Sequence, residues 1–386
     1  MGTAGLLLAA LLVSDACAAE NPAATIRKLT GFRTKIVWIR APGGQGHPFG
    51  PPPNSPPIWK IIVLDTDENG GKERELQSEP GTYSHCMITP TGTRVIWTDP
   101  TAQVWVIDWD GKNKKKLLDG ALAVGVAENP PGTEWVYTQE GPKGPGNGAD
   151  VYRHQIDDPS KKELVWNKTP SNDKWEFTRD GKYGASGLPW PHAGVAELPN
   201  GAFKIFGDGC TPGIAGDRSA VMHMIAAGHR GIVVYNPDGS NPRQILFAQA
   251  PGVAGTPDPQ FWWASFARYD GRFFTFSGPH PSMRPARGDI YFCMFTPRRD
   301  GVAKWVQVCN TPDLDAQGYA WIDKPGPRQV KKPTPQTPAP TAPTGPATPA
   351  NAGTSPTPRT PAPATPTRPV PPADAKTSPT PPATRP

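Results

Sequence analysis

The sequence lacks most of the short motifs that mark a catalytic site. It contains no G-x-S-x-G, no phosphate-binding loop, no H-E-x-x-H and no paired-cysteine zinc pattern. Beyond the first residues, no segment approaches the roughly 20 apolar residues that a membrane helix needs. These absences argue against a membrane-spanning chain and favour a binding function over an enzymatic one.

Aromatic residues are missing from the C-terminal end, where none follows Trp321. Apolar residues make up only 36% of the 386 residues, and this end is built from Thr-Pro, Ala-Pro and Pro-Thr steps. Proline fixes φ and removes a hydrogen-bond donor, so this composition cannot join a sheet or a helix. We predict a disordered Pro/Thr/Ala-rich tail over residues 325–386, partly in polyproline II conformation. Such tails carry O-glycans, span cell walls or tether domains.

The N-terminal apolar run, from Leu6 to Val13, has no Lys or Arg before it. It is followed by Ala16, Cys17 and Ala18, which form a small-residue cleavage pattern. We therefore predict a signal peptide over residues 1–19 and a secreted or periplasmic mature protein. A lipoprotein anchored through Cys17 fits less well, because Asp15 is poorly placed in a lipobox.

Cysteine is scarce, with five residues in all, but export makes disulfides possible. Four cysteines remain after cleavage and allow three sets of pairs; they are Cys86, Cys210, Cys293 and Cys309. Cys293 and Cys309 lie in predicted neighbouring strands, so this pair is the leading one. Buried free thiols are the alternative.

Acidic residues are fewer than basic ones, 34 against 40, which gives a net charge of +6. The basic residues are spread along the chain, and their one local run, between Lys112 and Lys116, falls on a predicted turn. We therefore predict no nucleic-acid partner. The charge is compatible with acidic glycans or anionic surfaces.

No helical periodicity of comparable length competes with a recurrent strand–turn–strand pattern. The repeats are residues 84–97 (SHCMITPTGTRVIW), 174–183 (KWEFTRDGKY) and 262–276 (WWASFARYDGRFFTF). Their turns, and those of weaker copies, are spaced by roughly 35–55 residues, which is the period of a four-stranded propeller blade. Asp-Gly pairs at Asp110 and Asp238 separate an apolar strand from a short edge strand, which is a hairpin signal.

Residues 88–97 (ITPTGTRVIW) followed by 104–108 (VWVID) resemble the TolB-type, or WD-repeat-like, secreted β-propellers. The segment 189–196 (PWPHAGVA) is also similar to that of uncharacterised exported bacterial propellers. The resemblance covers roughly residues 30 to 323 and implies an all-β fold. We predict one domain over residues 20–324, with six blades. Its first blade lacks an inner strand, which residues 319–322 would supply to close the ring.

Propeller topology predicts which residues share a face. With the strands of a blade named A to D from channel to rim, the B–C loops and D–A connections lie at one end. Five histidines map to this end: His85 opens strand A of blade two, and the B–C loops hold His47, His192, His229 and His280. The other predicted ligand-binding residues there are Asp208, Arg230, Trp262, Arg284 and Arg287. His192, His229 and His280 are candidate ligands for a divalent metal.

Three functions remain open. The favoured one is a non-catalytic extracytoplasmic propeller that holds a glycan, a peptide or an envelope partner on its His- and Arg-bearing face. The alternative is a polysaccharide lyase, or another metal-assisted enzyme, acting on acidic polysaccharide. There the histidines and Arg230 would neutralise a uronate carboxylate and provide a base. The third is an envelope scaffold similar to TolB.

Overall fold

A computed structural model of the protein consists of six four-stranded antiparallel sheets, as predicted for a six-bladed propeller. It describes residues 21–44, 58–77, 79, 81, 84–141, 148–171, 174–225, 228–256, 258–280 and 288–324. The predicted signal peptide, His47, Arg284, Arg287 and the predicted tail lie outside these residues. No helix among the described residues is long and apolar enough to cross a membrane.

The described residues form 24 strands. In chain order they are β1 (Thr34–Ala41), β2 (Lys60–Asp65), β3 (Arg74–Glu75), β4 (Ser84–Ile88), β5 (Arg94–Thr98), β6 (Gln103–Asp108), β7 (Lys115–Asp119), β8 (Leu122–Glu128), β9 (Glu134–Glu140), β10 (Asp150–Gln155), β11 (Lys162–Trp166), β12 (Glu176–Phe177), β13 (Tyr183–Gly187), β14 (His192–Glu197), β15 (Phe203–Asp208), β16 (Cys210–Ile214), β17 (Val221–Met224), β18 (Gly231–Tyr235), β19 (Arg243–Leu246), β20 (Gln260–Phe266), β21 (Phe273–His280), β22 (Asp289–Phe295), β23 (Val302–Gln307) and β24 (Leu314–Ile322). Among the described residues, single 3-10 turns lie at Pro42–Gly44, Asn69–Gly71 and Val253–Gly255.

Each blade is built from four successive strands, except the first. Blades two to six are β4–β7, β8–β11, β12–β15, β16–β19 and β20–β23. Blade one has the order β24-β1-β2-β3, so the last strand of the chain is its inner strand. The predicted closure is therefore confirmed, and the closing strand is longer than the four residues expected.

The position of a strand in its blade explains its composition. Inner and middle strands are covered by neighbouring blades on both sides, and β1 is buried at all eight positions. Outer strands meet solvent, and β7 accordingly begins with Lys115 and Lys116. Aromatic rings fill the spaces between blades: Tyr137 of β9 stacks on Phe177 of β12 with ring centroids 3.9 Å apart. Burial of each such side chain contributes about 1.5–3 kcal/mol.

One helix, α1 (Pro22–Thr30), precedes the first strand and was not predicted. The Asn21 side chain accepts hydrogen bonds from the amides of Ala23 and Ala24 and so caps its N-terminus. Gly31 ends it in the left-handed conformation, with φ 75°. The helix buries Ile26 in the apolar cluster between blades one and six.

The predicted Cys293–Cys309 disulfide is not formed, and all four cysteines of the described residues are free thiols. Cys293 lies in β22 opposite Trp305 of β23. Cys309 lies beyond the end of β23, where its sulfur accepts a hydrogen bond from the Ile290 amide at 3.2 Å. The two thiols therefore occupy different levels of blade six. Burial raises the pKa of both, so they stay protonated.

Candidate functional site

The upper face is the end of the propeller that carries the B–C loops and D–A connections, and the described candidate residues lie at this end. His192 is the first residue of β14, and Asp208 is the last residue of β15. His229 and Arg230 lie in the B–C loop of blade five. His280 ends β21 instead of lying in the following loop, His85 is the second residue of β4, and Trp262 lies in β20.

His192 and Asp208 form one pair on this face. They are opposite each other in the β14–β15 register, and His192 Nδ1 lies 2.7 Å from Asp208 Oδ1. Both side chains remain open to solvent, at 44% and 68% exposure. The pair comes from adjacent strand ends, which the sequence alone did not connect.

The turn before His192 exposes a tryptophan, Trp190, that is not among the predicted ligand-binding residues. Pro189 and Pro191 keep the turn out of the sheet, and the Pro191 carbonyl accepts the Gly209 amide at 2.9 Å. Trp190 between them is 58% exposed, the most exposed large apolar side chain among the described residues. A tryptophan flanked by two prolines was the available signal, since this pattern cannot continue a central strand.

His229 and Trp262 form a second pair, between blades five and six. Their ring centroids are 3.8 Å apart, and the His229 carbonyl accepts the Phe261 amide at 2.9 Å. Burial lowers the pKa of His229, which favours the neutral imidazole. Trp262 is only 7% exposed, so it supports the histidine from below.

Arg230 lies beside this stack and is paired with Asp258 in the next connection. The two side chains are 61% and 49% exposed. Ion pairs this exposed stabilise a fold by only about 0–1 kcal/mol. The guanidinium can therefore exchange this partner for a ligand at little cost.

The channel mouth is closed by residues from the inner strands. His85, Trp263 and Gln317 have left-handed backbone, with φ of 52°, 56° and 57°. Each lies where the register of its inner strand shifts, and such bulges redirect side chains. The Trp263 ring lies 5.5 Å from the ring of His85, across the mouth. Only a cavity of about 40 Å³ remains beneath it.

Lys174, which precedes the inner strand of blade four, also contacts the residues that close the channel mouth. Its Nζ lies 5.9 Å from the Trp263 ring centroid. It donates hydrogen bonds to the Ala264 carbonyl at 2.8 Å and to Ser265 Oγ at 2.9 Å. In the described part of the upper face, a ligand therefore meets the Trp263 ring at the channel mouth instead of an open channel.

His280 is a buried residue and not part of the exposed surface. It is 2% exposed, and its Nε2 lies 3.3 Å from Ser277 Oγ. Its position at the end of a central strand explains this burial. The other two histidines, His154 and His223, lie in β10 and β17.

The structure does not bring His192, His229 and His280 together as metal ligands. Among the described residues, one group of three His, Cys, Asp or Glu side chains has its ligand atoms within 4.8 Å, and it consists of Asp289, Cys309 and Asp315. In that group, Asp315 Oδ1 already accepts from Arg40 Nε at 2.7 Å and Trp38 Nε1 at 2.6 Å. The guanidinium thus supplies the positive charge, and the group is an ion-pair network that joins blades six and one.

Comparisons with known proteins define the class of fold. No family model and no curated protein matches the sequence. TolB from Acinetobacter baumannii has a similar structure, with a TM-score of 0.53 at 13% identity, over 77% of this chain and 69% of that one. The β-propeller domain of Cps50 (Swd1) from Myceliophteria thermophila gives a TM-score of 0.40 at 10% identity, over 64% and 80%. The chain is therefore a six-bladed β-propeller with a TolB-like fold.

Proposed function

We propose that the protein is a non-catalytic, extracytoplasmic binding propeller that holds a glycan or peptide chain, free or on an envelope partner, on its upper face. The observation that carries the proposal is the exposure of Trp190 beside the His192–Asp208 pair. An exposed tryptophan ring offers a large apolar surface at low entropic cost, and it is a common anchor at binding surfaces.

The neighbouring polar groups suit an extended ligand with hydroxyl or amide groups. His192 and Asp208 present a donor and acceptors on blade four, and Arg230 and Asp258 do so on blade five. Each of these four side chains is more than 40% exposed. A chain laid from blade four to blade five would meet the aromatic ring and both polar pairs.

The closed channel mouth supports surface binding in preference to chemistry inside the ring. The cavity beneath Trp263 holds about 40 Å³, far less than the roughly 300–1,000 Å³ of ordinary ligand pockets. Sugar rings or peptide side chains would therefore stay on the face. The proposal needs no cofactor.

The test is capture on arrays of soluble glycans and of extended peptides. We would compare the wild type with Trp190→Ala and Arg230→Ala. The matched control is Lys182→Ala, an exposed residue in the A–B turn of blade four, at the opposite end of that blade. We expect the upper-face variants to lose the strongest array signals and the control to keep them.

The proposal fails if the wild type captures ligands that all three variants retain equally. It also fails if Lys182→Ala alone loses them, because the ligand would then lie at the lower end. Circular dichroism of each variant separates lost binding from lost folding.

A further inference from the structure

A buried arginine lies in the channel below the residues that close its mouth, His85, Trp263 and Gln317. Arg268 follows β20 and is 5% exposed. Its Nε donates a hydrogen bond to the hydroxyl of Tyr319 in β24. Its Nη1 is buried and has no hydrogen-bond partner among the described residues. A buried donor without a hydrogen-bond partner destabilises the fold, and the free-energy penalty is larger when the donor belongs to a charged group. We therefore expect this nitrogen to have a partner in solution.

The arginine lines a small, partly open cavity. The cavity has a volume of about 10 Å³, and its walls are Glu176, Phe177, Ile214, Gly216, Phe266, Arg268 and Tyr319. A volume near 10–15 Å³ is roughly what one water molecule needs. Because the cavity is also partly open, a single water molecule or a small ion can lie against Arg268.

The charges around the channel do not cancel. Lys174 and Arg268 are cations, Glu176 is the carboxylate near them, and all three are at most 8% exposed. Lys174 Nζ lies 3.1 Å from Glu176 Oε1, so this carboxylate is already engaged by one cation. Arg179, at the lower end, is paired with its own carboxylate, Glu128, at 3.2 Å. One buried positive charge remains, and buried charges are stable only when paired.

We propose that a small monovalent inorganic anion of the halide class binds in this cavity, against Arg268. Arg268 Nη1 donates one hydrogen bond to it. The Tyr319 hydroxyl donates a second, because its oxygen already accepts from Arg268 Nε and its proton is left available. The anion neutralises the excess charge and links the inner strands of blades six and one.

A water molecule could occupy the same cavity. Because water is neutral, an experiment that is sensitive to charge distinguishes it from an anion. Water could accept from Arg268 Nη1 and donate to the Glu176 carboxylate, whose Oε1 already pairs with Lys174 Nζ at 3.1 Å. It would give Arg268 Nη1 a partner but leave the net charge unchanged. Stability would then not depend on which anion is in the buffer.

The first test is thermal unfolding at constant ionic strength with chloride, bromide or gluconate as the anion. For the wild type we expect Tm to be higher by about 3 °C in either halide than in gluconate. In Arg268→Met, which removes the charge but keeps most of the volume, we expect the halide and gluconate values to coincide. Arg179→Met is the matched control and keeps the halide effect.

The second test uses only the wild type, so it does not depend on a variant that folds. Crystals grown in bromide should show one anomalous peak in the channel beside Arg268. A water in that position without anomalous signal, or equal Tm values in halide and gluconate, would overturn the proposal. Neither result bears on ligand binding at the upper face.

Discussion

At the residue scale, the unusual feature is left-handed backbone at equivalent places in several inner strands. His85, Thr211, Trp263 and Gln317 all have positive φ near the upper end of an inner strand. Non-glycine residues hold such conformations at a cost of order 1–3 kcal/mol, and they cluster where a side chain is redirected. The sequence predicted these strands but not the bulges, since nothing in the residue pattern marks a register shift.

Burial of Asp289 predicts a pH dependence of stability. Desolvation raises the pKa of this carboxyl to about 6 from its ordinary 3.8. The folded state therefore holds the proton more tightly than the unfolded state. The resulting stabilisation is largest below the unfolded pKa and is lost as pH rises through about 6.

The prediction is measured by urea unfolding at pH 5 and pH 7.5 for the wild type and Asp289→Ala. Between these two pH values the wild type should lose about 1–1.5 kcal/mol more than the variant. A parallel change in both proteins would show that Asp289 titrates with an ordinary pKa.

At the scale of elements, the sequence predicted repeated units well and irregular pieces poorly. Asp-Gly hairpins appeared as expected: Gly111 has φ 86°, and its amide donates to the Asp108 carbonyl at 2.9 Å. Helix α1 was missed, although Asn21, Pro22 and Gly31 carry ordinary cap signals. His280 was placed in a loop because Pro279 and Pro281 flank it. The Cys293–Cys309 pair was wrong because Cys309 lies beyond the end of β23, while Cys293 lies opposite Trp305 within that strand pair.

The A–B turn of blade two packs tightly on blade one, and this predicts a severe glycine substitution. Gly92 has φ 73°, and a Cβ there would lie 2.5 Å from the Trp321 ring. Gly92→Ala should therefore destabilise through both backbone and overpacking, by about 2–4 kcal/mol. Gly132 has φ 87° with no atom within 4 Å, so Gly132→Ala should cost only about 1–2 kcal/mol. Equal losses of Tm in the two variants would refute the packing argument.

The buried ion pair between β1 and β24 predicts a second large effect. Asp315 is fully buried and pairs with Arg40 at 2.7 Å. Asp315→Ala would leave the guanidinium with Glu73 as its remaining partner and would remove the acceptor of Trp38 Nε1, so it should cost about 3 kcal/mol. The control is Asp110→Ala, which breaks the exposed pair with Lys112 and should leave Tm nearly unchanged, because water screens such a pair. Thermal unfolding compares them, and similar small shifts would contradict a role for Asp315 in closure.

At the scale of the whole molecule, ring closure decides the fold. The last described strand of the chain pairs with the first, as Lys35 opposite Trp321 and Arg40 opposite Asp315. Closure of this kind was predictable because the first repeat lacked an inner strand and an orphan apolar segment followed the last. The sequence predicted that several histidines lie at the upper face, but it did not predict which side chains are exposed there. Exposure of Trp190 and burial of His280 depend on contacts that no single repeat specifies.

Closure predicts that two truncations behave differently. A chain that ends after residue 313 lacks β24 and leaves blade one without its inner strand, so we expect an unfolded or aggregated product. A chain that ends after Lys324 keeps β24, and we expect it to fold with the Tm of the full chain. Folding of the shorter chain with an unchanged Tm would contradict closure by the terminal strand.

The measurement that tests the central claim most directly is a titration of the ligand found on the arrays, followed by tryptophan fluorescence and calorimetry. The account predicts that ligand changes the emission of exposed Trp190 and that Trp190→Ala weakens binding at least about tenfold, or about 1.4 kcal/mol. Lys182→Ala should bind like the wild type. Undiminished affinity in folded Trp190→Ala, together with weaker binding in Lys182→Ala, would move the site to the other face and contradict the account.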